Sequence, residues 1–144
     1  MEAFRRKGLW QLFEQWKREL VSVFDNAKPA HPAADVALWD FSGYNSATTE
    51  PLPRSGGKRS VMDYWDEVHY SINLGDRISA VLFPPPAAAW TPAGDFGTKL
   101  TGSNIEAHLA AARVDQLTYE AAHVDDLKWL AALDHSAVYS RDTK

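Results

Sequence analysis

The strongest chemical signal in the chain is an aspartate and a histidine three residues apart, Asp66 and His69. They lie in the segment Tyr64-Trp65-Asp66-Glu67-Val68-His69-Tyr70-Ser71. In a tight turn this spacing lets both side chains face one cleft. A carboxylate bonded to one ring nitrogen orients the imidazole, and the other nitrogen can then exchange a proton with a serine hydroxyl near neutral pH. The spacing therefore predicts the acid–base half of a hydrolase site, in which Asp66 orients His69.

The order of elements around this pair resembles the carboxy-terminal part of the SGNH (GDSL-like) hydrolase superfamily. A predicted strand, a loop, the Asp66/His69 block and a helix bearing Gly75 follow one another over residues 9–83. The resemblance implies a flavodoxin-like three-layer α/β/α sandwich. It also implies esterase or acyl- or acetyltransferase activity on an ester or acylated carbohydrate, with Asp66 and His69 on the loop before the last helix. No cofactor and no metal are expected.

The chain departs from the pattern of that family at the nucleophile. No Gly-Asp-Ser block occurs, since Gly75-Asp76 is followed by Arg77. The family's oxyanion-binding block is also missing. The segment most similar to it is Gly-Tyr-Asn-Ser at residues 43–46, whose composition is typical of a turn. We therefore expect residues 1–84 to be the carboxy-terminal part of such a hydrolase domain, inactive alone, and residues 85–144 to be a Pro/Ala linker with a helical extension.

Two other arrangements of the same residue types stay open. Ser42 follows a predicted strand and precedes Asp66 and His69 in the order of a triad, but it runs into a Pro- and Gly-rich loop rather than into a helix. Asp63, Asp66 and His69 are spaced three apart and offer oxygen and imidazole ligands, but as ligands on one turn they form an incomplete metal site. The histidines elsewhere in the chain are expected to be solvated or to cap helices: His31, His108, His123 and His135.

The amino-terminal third of the chain predicts a long amphipathic helix over residues 9–27. Its apolar residues recur at helical spacing and are expected to pack on a core, while the charged residues face solvent. The apolar stripe consists of Leu9, Phe13, Trp16, Leu20, Val23, Phe24 and Ala27, and the charged side of Glu14, Lys17, Arg18 and Glu19. Trp10, Trp16 and Trp39 are expected in the core. A buried strand is predicted over residues 34–41, followed by a loop over 42–60.

Three further helices are predicted downstream. Ser71 or Asn73 can cap the first, whose buried stripe is expected to be Leu74, Ile78, Val81 and Leu82. Pro84 to Pro92 reads as a linker, and residues 95–100 as an extended piece. Ser103 and Glu106 have the spacing of a capping box for a helix that buries Ile105, Leu109 and Ala112. Val124, Leu127, Leu130 and Leu133 indicate the last helix, so the fold class is helix-rich α/β.

The amino-acid composition argues against several classes of chemistry and binding partner. The chain has 144 residues, a net charge of −4 and no cysteine, so disulfides and thiolate chemistry are excluded. An acidic balance argues against a general nucleic-acid binder, because phosphate neutralisation needs a basic surface. No apolar run is long enough to span a bilayer, and no targeting segment is visible.

A second function is compatible with the same sequence. The Trp-rich helix from Leu9 to Phe24 is typical of a small, non-catalytic interaction module. It predicts self-association or capture of a partner protein through that helix. The substrate, oligomeric state and compartment are left open.

Overall fold

Helices dominate the fold, as the sequence predicts. The structure, a computed structural model, describes residues 2–34, 36–51, 63–64, 69–84 and 96–139. Its helices are α1 (Glu2–Arg6), α2 (Trp10–Ala27), α3 (Ile72–Leu82), α4 (Ile105–Ala122) and α5 (Val124–Tyr139), with a 3₁₀ turn at Lys28–Ala30. The strands are β1 (Leu38–Asp40) and β2 (Thr98–Leu100). The prediction of a mixed, helix-rich α/β chain is confirmed.

The sheet formed by the described residues has two antiparallel strands. Leu38 pairs with Leu100, and Asp40 with Thr98. The strand expected over residues 34–41 is therefore shorter than predicted, and the extended piece expected at 95–100 is its partner. The predicted division of the chain into two regions at residue 84 stays a prediction. Strands β1 and β2, which pair with each other, lie on opposite sides of that position in the sequence.

Two apolar clusters lie on opposite faces of β1, because successive side chains of a strand point to opposite sides. Leu38 packs against a cluster contributed by α2, β2 and α4: Val21, Leu100, Ile105 and Leu109. Trp39 packs against a cluster contributed largely by α3: Ala47, Leu74, Val81 and Phe96. By the same alternation, Asp40 shares the face of Leu38, so its carboxylate points toward α2 and α4.

Helix α3 begins at the predicted cap. The Ser71 Oγ accepts a hydrogen bond from the Leu74 backbone N–H at 3.3 Å, which satisfies one of the unpaired donors of the first turn. Leu74 and Val81 are buried as predicted. Leu82 is exposed, so its expected place in the buried stripe is wrong; it is the last residue of the helix.

Helix α4 buries Ile105, Leu109 and Ala112 as predicted, but its amino terminus differs from the prediction. Asn104, and not Ser103, is the N-cap residue. The Asn104 Oδ1 accepts from the Thr101 backbone N–H at 2.8 Å, which fixes the turn between β2 and α4. The capping-box prediction is therefore wrong.

Helix α2 lies where the sequence predicts a helix, but the side that it buries differs from the prediction. Its buried residues are Glu14, Lys17 and Val21, two of which were expected to face solvent. Leu9, Trp16 and Val23 are exposed, although they were expected in the core. Within the described ranges no helix has the length and apolar character needed to cross a membrane.

Candidate functional site

The segment before α3 carries His69, which is exposed to solvent. Tyr64 and Tyr70 form an antiparallel bridge, and the Ser71 backbone N–H donates to the Asp63 carbonyl at 2.8 Å. The chain therefore enters and leaves the predicted block at adjacent positions. Asp66 lies outside the described residues, so the predicted Asp66/His69 pair stays a prediction.

Asp63, a ligand of the alternative metal site, is engaged by a cation of the protein. The Arg77 Nη1 lies 3.0 Å from the Asp63 Oδ2, and the Arg77 Nη2 donates to the Ser46 Oγ at 3.0 Å. A guanidinium on this carboxylate disfavours a metal ion at the same oxygen. In the part of the chain that the structure describes, no three His, Cys, Asp or Glu side chains group closely enough to hold one.

Ser42, the alternative nucleophile, belongs to a polar cluster that the sequence did not predict. The Lys17 Nζ donates to the Asp40 Oδ2 at 2.5 Å and to the Ser42 Oγ at 2.7 Å. The Ser42 Oγ donates to the Asp40 Oδ1 at 2.7 Å. The His108 Nε2 lies 2.8 Å from the Asp40 Oδ2, and since an ionised carboxylate only accepts, the histidine is the donor. We refer to Lys17, Asp40, Ser42 and His108 as the Asp40 cluster.

The electrostatics of the Asp40 cluster favour a structural role. Burial acts to raise the pKa of the Asp40 carboxyl, but the hydrogen bonds from His108 and Lys17 and the Lys17 charge outweigh it, and this pKa lies well below its usual value. So weak a base does not activate the Ser42 hydroxyl, and the Lys17 ammonium is a donor to Asp40 and Ser42 rather than a base. The cluster joins α2, β1 and α4. His108 was expected to be solvated or to cap a helix, and it instead bonds the buried Asp40 carboxylate.

The predicted turn at residues 43–46 is confirmed. Gly43 has a φ of +104°, which favours glycine. The Asn45 Oδ1 accepts from the backbone N–H groups of Ala47 and Thr48 at 3.0 Å each, and the Asn45 Nδ2 donates to backbone carbonyls of residues 41 and 42. These bonds occupy the amide of Asn45 within its own loop, so it does not serve as an oxyanion donor.

A second ion pair, between the buried Glu14 and the exposed Arg113, links α2 to α4. The Glu14 carboxylate accepts from the Arg113 Nε at 2.7 Å and the Arg113 Nη2 at 2.6 Å, and from the Trp10 indole at 2.8 Å. The hydrogen bonds from Arg113 lower the pKa of Glu14 despite its burial. Arg18 lies 3.5 Å from Glu14, one helical turn away, but makes its shorter hydrogen bond, 2.6 Å, to Glu106. The distant partner Arg113 carries no signal in the sequence.

The outward side of α2 is apolar. Leu12, Trp16 and Val23 are 62%, 52% and 63% exposed, whereas Glu14 and Lys17 on the inward side are 5% and 4% exposed. With about 100° of rotation per residue, the two sets lie on nearly opposite sides of the helix. We call the exposed residues Leu9, Leu12, Trp16 and Val23, with Phe4 of α1 beside them, the α2 apolar face.

Aromatic rings order one end of the α2 apolar face. Phe4 stacks on Phe13 with ring centroids 5.0 Å apart, and Phe13 stacks on Trp16 at 5.8 Å. The Lys17 ammonium lies 4.5 Å from the centroid of the Phe13 ring. These residues border a groove of about 520 Å³, lined by Phe4, Leu9, Leu12, Phe13, Gln15, Trp16 and Glu19.

Comparison of the chain with protein-family models, with curated proteins and with solved structures finds no match. The resemblance to SGNH hydrolases therefore stays a prediction carried by the residues of the Asp66/His69 block.

Proposed function

We propose that this chain is a non-catalytic interaction module whose binding surface is the α2 apolar face. The observation that carries the proposal is the orientation of α2. The helix turns Glu14 and Lys17 into the fold, where Arg113 and Asp40 pair with them, and turns Leu12 and Trp16 toward solvent.

The free energy gained by burying the α2 apolar face favours binding of a partner protein. Burying one large apolar side chain stabilises a complex by about 1.5–3 kcal/mol relative to its exposure, and the face presents several together. Contiguous apolar patches are typical of interaction sites. On the opposite side the buried Lys17–Asp40 pair and the Glu14–Arg113 pair fix α2. Rotation of the helix to bury the face within its own fold would break both pairs.

The stacked rings also support a binding role. Phe4, Phe13 and Trp16 restrain one another, so a partner meets side chains whose rotamers are already ordered. Less conformational entropy is then lost on association. Aromatic residues, tryptophan above all, contribute most of the binding energy at many interfaces.

An apolar dye tests whether the face is available in the folded chain. We expect 8-anilinonaphthalene-1-sulfonate to fluoresce with dilute native protein and to lose most of that signal with Leu12→Glu. The free energy of unfolding should change by less than about 0.5 kcal/mol, because Leu12 packs on no core residue. Leu117→Glu is the matched control, since Leu117 is equally exposed on α4. Retained dye binding in Leu12→Glu would contradict the proposal.

A second candidate is a partial SGNH-like ester hydrolase or acyl- or acetyltransferase. His69 favours it, because this residue is exposed immediately before a helix capped by Ser71, the position that the resemblance requires. Under this proposal Asp66 orients His69, and further strands complete a three-layer α/β/α sandwich around the β1–β2 pair. The serine nucleophile then belongs to a segment outside this sequence, and the chain alone is inactive.

Fluorophosphonate labelling of the purified chain tests this second candidate. We expect no labelled serine, because a general base without a nucleophile and oxyanion donors supplies little of the rate. Covalent labelling of Ser42 or of any other serine would overturn the inactive-fragment proposal. His69→Ala separates the two functions, since it leaves dye binding at the α2 apolar face unchanged but abolishes ester hydrolysis in a chain completed by a nucleophile segment.

A further inference from the structure

We infer that the α2 apolar face is covered by a second copy of this chain, with the two α2 helices packed antiparallel. The inference rests on the proposed function and names its partner. It is carried by the spacing, the charge and the area of the exposed residues.

The spacing of the face is that of a helix-pairing seam. Its residues Leu9, Leu12, Trp16 and Val23 follow one another at intervals of three, four and seven along the helix. Glu19 occupies the position between Trp16 and Val23 that completes alternating intervals of three and four. This repeat places one narrow stripe along the helix, the arrangement by which two helices interdigitate. The stripe lies opposite the side that Glu14 and Lys17 bury.

Charge selects the antiparallel arrangement. In a parallel, in-register pair, the Glu19 carboxylates of the two copies face each other in the middle of the seam, which is unfavourable. An antiparallel pair with a two-fold axis midway between Trp16 and Glu19 places Glu19 beside Trp16 of the second copy. The indole N–H of Trp16 is a donor suited to that carboxylate.

The same axis brings two further apolar residues of α2 together and sets Leu9 against Asn26 of the second copy. Leu12 then lies against Val23 of the second copy, and Val23 against its Leu12. Each contact occurs twice, as a two-fold interface requires. The neighbouring positions Gln15 and Ser22 are uncharged, so they add no repulsion at the edge of the seam.

The area is that of a weak dimer. The exposed fractions of Phe4, Leu9, Leu12, Trp16 and Val23 amount to roughly 500 Å² of apolar surface in each copy. Complete coverage of this surface in both copies would bury at most about 1,000 Å² in total, the lower limit for specific association. We expect a dissociation constant in the range of about 10–100 µM.

A membrane surface fits the face less well than a second copy does. Helices that lie in the interface carry lysine and arginine around their apolar face. Here Glu19 lies in line with the face, between Trp16 and Val23, and Lys17 is buried in the Asp40 cluster.

Sedimentation equilibrium on the full chain, from about 1 to 300 µM, tests the inference with one compensating pair of substitutions. Leu12→Glu and Val23→Lys are each expected to weaken dimerisation by about tenfold or more, because each places two charges against apolar residues. Mixed in equal amounts, they are expected to dimerise again. In the antiparallel hetero-pair Glu and Lys meet once, and the original Leu12–Val23 contact is restored once.

Leu117→Glu is the control for added charge and is expected to dimerise like the original chain. A mixture of Leu12→Glu and Val23→Lys that stays as monomeric as either variant would overturn the antiparallel pairing. An original chain that stays monomeric at 300 µM would overturn self-association, and co-flotation of that monomer with anionic phosphatidylglycerol vesicles would identify a membrane surface as the occupant instead. Whichever of these outcomes is found, the loss of dye binding in Leu12→Glu is a separate test of the proposed function.

Discussion

The Lys17 ammonium lies 2.5 Å from the Asp40 carboxylate, and both side chains are buried although 23 positions separate them in the chain. This pair explains the orientation of α2. A buried charge is costly without its partner, so α2 has to keep Lys17 directed inward. The opposite side of the helix, which carries Leu12 and Trp16, is therefore directed outward.

Lys17→Met is expected to destabilise the fold by about 3 kcal/mol, since it leaves the Asp40 carboxylate buried without its ammonium partner. Chemical denaturation with urea measures this loss. Lys28→Met is the matched control, because Lys28 forms an exposed ion pair with Asp25 at 3.4 Å and should change stability by less than about 0.5 kcal/mol. Equal effects of the two substitutions would show that the Asp40 cluster does not hold α2.

Acid is expected to weaken the fold through Asp40. The pKa of this carboxyl is lower in the folded chain than in the unfolded chain. The unfolded chain therefore binds the proton more readily, and stability rises with pH in the acid range. The contribution is fully present above the unfolded pKa of about 3.9 and is lost as the pH falls below it toward the folded pKa.

Comparison with Asp40→Asn isolates this contribution, because Glu14, whose pKa is also lowered, is present in both proteins. The difference in unfolding free energy between the two proteins should narrow by at least about 1 kcal/mol between pH 5 and pH 3. Parallel pH profiles would exclude Asp40 as the source of acid sensitivity.

Gly97→Ala is expected to destabilise the fold by about 3 kcal/mol. Gly97 has a φ of +84°, and a Cβ there would lie 2.7 Å from the Phe41 Cε1 and 3.1 Å from the Val81 Cγ1. The Phe41 ring cannot retreat easily, because it packs against Phe96 at a centroid distance of 5.1 Å. Thermal unfolding followed by circular dichroism measures the loss.

Gly8→Ala separates backbone strain from crowding. Gly8 has a φ of +69° and no atom within 4 Å of an added Cβ, so only the strain of about 1 kcal/mol is expected. A loss at Gly97 no larger than the loss at Gly8 would mean that the contact with Phe41 is not limiting.

Ser71→Ala is expected to cost about 1 kcal/mol, since the Oγ caps α3 by accepting from the Leu74 backbone N–H. Ser103→Ala is expected to be nearly neutral, although the sequence favours Ser103 as a cap as well. The Ser103 Oγ lies 2.9 Å from the Thr101 Oγ1 and does not cap α4. The two substitutions, compared by urea denaturation, would contradict the assigned caps if Ser103→Ala proved the more costly.

The sequence alone predicts correctly those features that depend on local geometry. The Ser71 cap and the turn around Asn45 each depend on atoms within a few positions along the chain, and the structure confirms both. The stripe of Ile105, Leu109 and Ala112 follows in the same way from helical periodicity. The Asp66/His69 pair was also read from local spacing, and because Asp66 lies outside the described residues it stays a prediction.

Only the tertiary structure decided which side of α2 is buried. Periodicity predicts that a helix has an apolar side and a charged side, and burial of the apolar side is the usual outcome. Here Asp40 and Arg113 arrive from distant parts of the chain to pair with Lys17 and Glu14. Desolvated charges with well-placed partners hold the charged side inward, and no spacing within α2 itself reveals those partners.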